Sequence, residues 1–202
     1  MSLKKSKINK NIYIIGAGGH AFSCIDVIES SGFTIKGIYA LEKDINKIIL
    51  NHCVEGTQFE LSQKIKPDEN LHIAVGHTYK NNERFEIFNL FKNKCNFPTI
   101  ISPFSYVSKS AIVGSGSIVM HGCIINADCK IGSHTILNTK SSIDHNSRVG
   151  DFSHISTSVT VNGNVTIGNN VFVGSGSILR DSIKIPDNKS VKMSSIITKS
   201  VI

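Results

Sequence analysis

From residue 131 onward an aliphatic side chain returns at every sixth position: Ile131, Leu137, Ile143, Val149, Ile155, Val161, Ile167, Val173, Leu179, Ile185, Val191 and Ile197. Ile112, Ile118 and Ile124 keep the same step, with one extra residue before Ile131 that shifts the register. Gly, Ser, Asn and Val dominate between these positions, and no helical stripe is present. A period of six fits neither the 3.6-residue helical turn nor the two-residue alternation of a hairpin array. It predicts a parallel β-helix built from hexapeptides. Each hexapeptide forms one side of a triangular coil, with its aliphatic residue inside and small or polar residues at the corners. Three sides make one coil, so residues 18 apart stack.

The first hundred residues keep another rhythm. "IYIIGAGGHA" is a continuous apolar run that ends in glycines, as a buried parallel strand does. "AFSCIDVIESSG" reads as a helix stopped by Gly32. "FTIKGIYA" and "LHIAVGH" read as further strands, and "NNERFEIFNLFKNK" as a second helix. Strands alternating with helices predict a small parallel α/β sheet.

Composition narrows the classes. No apolar run approaches the roughly 20 residues that cross a bilayer, so no membrane insertion is expected. "MSLKKSKINKN" is basic, but no signal-peptide core follows it; a short flexible leader is the expectation. Five cysteines without a CxxC pair suit buried thiols in a reducing cytoplasm rather than a disulfide framework or a zinc ribbon. The net charge of +7 is scattered along the chain. It suits a phosphate-rich small molecule, or equally a merely soluble surface, better than nucleic acid, which is not expected as a partner.

Two stretches carry candidate chemistry. In "SSIDHNSRVGDFSH", His145 is the third residue of the Ile143 hexapeptide, so its ring faces away from the prism. Eighteen residues on stands Gly163, whose missing side chain leaves room for a ligand group. On the pattern alone, His145 is either a solvated histidine or a base. His154 lies half a coil away, on another side of the triangle. His121 and His134 read as structural, and no His/Cys set has metal spacing, so no metal is expected. The other stretch, "GAGGHA", places Gly16, Gly18 and Ala21 after a strand and before a helix. That is a phosphate-cradling turn backed by a helix N-terminus, and a nicotinamide-binding fold is its rival reading.

The combination of "IYIIGAGGHA", "LNTKSSIDHNSRVGDFSHIS" and "NGNVTIGNNVFVGSGS" resembles the bacterial sugar O-/N-acyltransferase family of the PglD/NeuD type. The resemblance implies a Rossmann-like acceptor-sugar domain over residues 1–100 and a left-handed β-helix acyltransferase domain over residues 101–202. It implies an acetyltransferase with acetyl-CoA as co-substrate, a homotrimer with coenzyme between subunits, and an amino sugar, nucleotide-linked sugar or sialic-acid-like sugar as acceptor. His145 becomes the general base, with Asp144 or Asn146 orienting its ring. His154, Gly163, Ser175 and Lys192 fall on the coenzyme side. Gly16, Gly18, Gly19, His20 and Arg84 fall on the acceptor side. This sequence has Asn146 where such enzymes carry Glu, and Ala40 and Leu41 where they carry Asp; Glu42 or Asp44 could substitute there. A non-catalytic trimeric relative that binds sugar or coenzyme is the alternative.

Overall fold

The computed structural model describes residues 10–77 and 82–201. The basic leader over residues 1–9 and most of the loop before the second expected helix lie outside them. The front half is a five-stranded sheet in the order β3-β4-β2-β1-β5. Its strands are β1 (Asn11–Ile15), β2 (Thr34–Ala40), β3 (Ile48–Ile49), β4 (His52–Thr57) and β5 (Asn70–Ile73). All neighbours run parallel except the β3–β4 hairpin. Helices α1 (Gly19–Ser30), α2 (Gln58–Lys64) and α3 (Asn82–Phe91) complete it. The sequence reading found β1, α1, β2, β5 and α3, but not the hairpin or α2. A readable signal for α2 was present in "TQFE". Thr57 accepts from the Glu60 backbone, and the Glu60 side chain reaches back to the Thr57 N–H, a reciprocal cap.

Behind it, seventeen two-residue strands, β6 (Ile100–Ile101) to β22 (Ile196–Ile197), wind into three parallel sheets of six, five and six strands. This is a left-handed β-helix. Every rung pairs residues 18 apart, from Ile101 beside Val119 to Leu179 beside Ile197. The expected register shift is absent. The inward ladder runs on without a break through Val107, Val113, Val119 and Ile125 to Ile131. Ile112 and Ile124 point outward and are exposed. An aliphatic residue precedes the inward one in "AIV", "SIV" and "CII", so hydropathy alone could not choose the register there.

The turns explain the polar filler. Backbone φ is positive at every sixth residue from Gly116 to Ser194, which suits the Gly, Asn and Asp found at many of these corners. A second corner is a glycine column, Gly114, Gly132, Gly150 and Gly168. A Cβ on any of them would lie 2.6 Å from the backbone nitrogen of Ser133, Asp151, Asn169 or Asp187 respectively, one coil on. Gly150→Ala is therefore expected to cost roughly 1–3 kcal/mol through forced backbone shifts, read as a lower Tm.

The halves share one core. On the sheet containing β6, β9 (Ile118–Val119), β12 (Ile136–Leu137) and β15 (His154–Ile155), the outward residues Ile100, Ile118, Ile136 and His154 are buried. Helix α1 packs over β6 and Ser31 Oγ donates to the Ile101 carbonyl at 2.9 Å. His121 Nε2 meets Asp26 Oδ2 at 3.0 Å. His134 is buried, stacked 4.9 Å from Phe152 and flanked by Phe88 and Phe97. Among the described residues no helix is long and apolar enough to cross a membrane.

Candidate active site

The glycine turn opens a cleft of about 450 Å³ at the ends of β1, β2 and β5. Gly16, Gly18, Gly19 and His20 line it together with Ala40, Leu41, Lys43, Asp44 and Lys47. Gly16 adopts φ +124°, and a Cβ there would press on the Ala74 carbonyl at 2.9 Å. Beside Gly18 and Gly19 the space is open. Gly18 caps α1 without a side-chain acceptor, so no capping side chain covers the helix N-terminus where Gly18, Gly19 and His20 line the cleft. Two cations stand opposite: Lys43 lines the cleft, and Lys47 Nζ donates to the Ala17 carbonyl at 2.7 Å. Of the two acids considered as substitutes, Asp44 lines the cleft and Glu42 does not.

Arg84 requires a correction. It does not line the cleft but is 1% exposed. Its Nη1 donates to the carbonyls of Ile73 and Val75 at 2.9 and 2.6 Å, and its Nη2 to the carbonyl of His134 at 2.9 Å. A buried guanidinium needs acceptors, and here the main chain of both halves supplies them. Arg84 ties the α/β sheet to the coil instead of meeting a ligand.

His20 leads from the cleft to a buried cluster. Its ring lies 6.2 Å from that of His154, which lies 6.3 Å from His77 and 5.4 Å from Phe172. His154 Nδ1–H donates to the His77 carbonyl at 2.8 Å, and its Nε2 accepts from Asn138 Nδ2 at 3.2 Å. The Asn138 amide is turned by the Thr139 N–H, which donates to its oxygen at 2.8 Å. Both nitrogens of His154 are thus engaged within the chain. Asn138 was not among the expected residues; it stands two residues past Ile136, the inter-coil neighbour of His154, a relation legible only once the register is fixed.

Burial, with the Arg84 guanidinium behind it, pushes His20 and His77 down to about 4, and burial pushes His154 to about 3. The fold holds these rings neutral, whereas in the unfolded chain they protonate near 6.5. Their contribution is complete above about pH 6.5. It is lost as pH falls toward 4, at up to about 1.4 kcal/mol per ring per pH unit. Thermal unfolding at stepped pH should show Tm falling across that window, and His154→Gln should flatten the slope.

His145 stands apart, exposed at the corner after β13 (Ser142–Ile143). Its ring packs over Gly163: a Cβ on Gly163 would lie 2.7 Å from both Cε1 and Nε2. Asp144 does not hold the ring. Its Oδ1 accepts from the His145 backbone N–H at 2.7 Å and from Asn126 Nδ2 at 2.9 Å, and those bonds hold its carboxyl below the usual range. The ring partner is Asn146, whose Oδ1 accepts from His145 Nδ1–H at 2.8 Å. Among the described residues no group bonds Nε2, which is left with its lone pair. Ser175 Oγ bonds Ser156 Oγ at 2.8 Å. Lys192 is exposed on a late coil, its carbonyl accepting from Ser177 Oγ. Among the described residues no hydrogen bond or ring contact joins His145 to the His20–His154 cluster.

Comparison with known proteins agrees with this architecture. The PglD N-terminal domain family matches residues 11–90. No curated protein matches the chain. Among solved structures, a histidine-to-asparagine variant of perosamine N-acetyltransferase from Caulobacter crescentus, in complex with CoA and GDP-perosamine, is 26% identical. It superposes with a TM-score of 0.85 over 95% of this chain and 90% of its own. The acetyltransferase domain of PglB from Neisseria gonorrhoeae FA1090, in complex with acetyl coenzyme A, is 27% identical. Its TM-score is 0.86, over 96% and 93% of the two chains. WeeI from Acinetobacter baumannii AYE, 17% identical over 94% and 92% with a TM-score of 0.76, shares the fold. With its glycine-turn sheet, its hexapeptide coil and these likenesses, the chain is an acyltransferase that resembles the sugar acetyltransferases of the PglD/NeuD type.

Proposed function

We propose that the protein moves an acetyl group from acetyl-CoA to an amino sugar, a nucleotide-linked sugar or a sialic-acid-like sugar used in bacterial surface glycans. One observation carries the reading: the exposed His145 ring, its Nδ1–H bonded and its Nε2 open, lies over a position where no side chain fits. The complexes of the two neighbours with CoA and with acetyl coenzyme A support the co-substrate.

The acceptor's amine or hydroxyl attacks the thioester carbonyl, and Nε2 of His145 takes its proton. The new bond to the acyl carbon forms as the C–S bond breaks, and the departing thiolate recovers a proton as free thiol. Gly163, Ser175 and Lys192 are the proposed coenzyme side, and His154 is the neutral wall between coenzyme and acceptor. Residues 1–100 are the proposed acceptor domain and residues 101–202 the acyl-transfer domain. Gly16, Gly18, Gly19 and His20 would line the sugar pocket. Lys43, Lys47 and the α1 N-terminus suit an acceptor that carries phosphate.

The outward row Tyr106, Ile124, Ser142, Thr160, Ile178 and Ile196 exposes large apolar side chains at both ends, with two small polar residues between them, which supports burial of those ends against further copies in a homotrimer. A cytoplasmic protein without nucleic-acid partners fits the scattered charge and the free cysteines. The test is thiol release from acetyl-CoA by purified protein with nucleotide-linked amino sugars and with sialic acids. Release dependent on one acceptor class supports the reading. Coenzyme binding without release under any acceptor favours a non-catalytic relative.

A further inference from the structure

Asn146 occupies a positive-φ corner, φ 62°, and so does Asp128 one coil below, φ 57°. The Asn146 amide bridges them to the ring: its Oδ1 accepts from His145 Nδ1–H at 2.8 Å, and its Nδ2 donates to Asp128 Oδ2 at 3.1 Å. A carboxylate only accepts, so it must face the NH₂ end of the amide. That fixes the amide's orientation, which turns its oxygen to the ring. The oxygen in turn requires the hydrogen on Nδ1, leaving the lone pair on Nε2. The carboxylate next to His145 in sequence is not free for this task, since Asp144 is held by the main chain and Asn126.

We infer that Asp128 is a positioning residue for acyl transfer, acting on His145 through the Asn146 amide, in a relay that selects the tautomer able to accept a proton at Nε2. The inference rests on the reading of His145 as the base. During transfer the acceptor's proton passes to Nε2 and the Nδ1–H stays where it is. No proton travels along the relay. The Asp128 charge, conveyed by the oriented amide dipole, favours the imidazolium that forms.

Asp128 also stands in a structural column, its backbone N–H donating to Ser110 Oγ at 3.1 Å, so the test must separate support of the fold from support of the ring. Asp128→Asn keeps shape and removes the obligate acceptor. It is expected to lower kcat on the order of 10-fold with KM and Tm little changed, short of the ~10²–10⁴-fold tied to a general base itself. Nitrogen-15 NMR of the imidazole should show the Nδ1–H form giving way to a mixture of tautomers. In an Asn146→Ala background the same substitution should have no further effect, because the bridge is already gone. Unchanged kcat with an unchanged tautomer in Asp128→Asn would overturn the inference, and so would a loss that persists in the Asn146→Ala background. If His145→Ala stays active, the base reading itself has failed. An inactive His145→Ala beside a fully active Asp128→Asn removes only the relay.

Discussion

His145→Ala is expected to lower kcat by about 10²–10⁴-fold while leaving Tm within about a degree or two of the parent, since exposed substitutions away from packed features change stability little. The ring is exposed, and its one side-chain bond is to Asn146. Removing it opens no core cavity. It deletes the acceptor for the proton that the attacking amine or hydroxyl must shed. KM for acetyl-CoA should move less than kcat, because a group that acts in the transition state leaves ground-state binding largely intact. Thiol release under saturating substrates, with calorimetric binding of coenzyme A alongside, separates the two. Equal rates for variant and parent would remove His145 from the mechanism.

Arg84→Ala is expected to produce the largest loss of stability, about 3 kcal/mol or more, at roughly 1–3 kcal/mol for each buried carbonyl left without a donor. Three carbonyls, two from the sheet and one from the coil, would lose their donor while staying under cover. The guanidinium also bridges the two halves, so the denaturation midpoint should fall and the transition should broaden as they uncouple. Urea unfolding followed by circular dichroism reads both. A midpoint shift below about 1 kcal/mol would mean that the bridging bonds contribute little.

Arg84 also marks where sequence reasoning stopped. The family resemblance put this arginine on the acceptor side, and a resemblance carries residue type and position but not burial. The coil was legible for the opposite reason: a six-residue period repeats one physical requirement in every rung. It failed only where neighbouring aliphatics, as at Ile112 and Ile124, gave the period two phases. His145 and Gly163 were legible as a pair because both follow from the 18-residue stack. Asp128 follows from the same arithmetic, one coil below Asn146, but its partner was sought among sequence neighbours, where Asp144 stood closer. His154 shows a further limit. Its row is buried by the other half of the chain, a packing that no local pattern encodes.

The glycine column sets a rule for how such a chain can change length. Each Gly114-to-Gly168 backbone lies flush under the next layer, so a stray six-residue insertion between Asp128 and His145 would rotate every later residue onto the adjacent wall of the prism. The imidazole would still lie over Gly163, since both residues shift together, but the pair would stand on another wall with its Asp128 tether cut. Growth or shortening that preserves chemistry must come in complete turns, like a screw that seats only after whole revolutions.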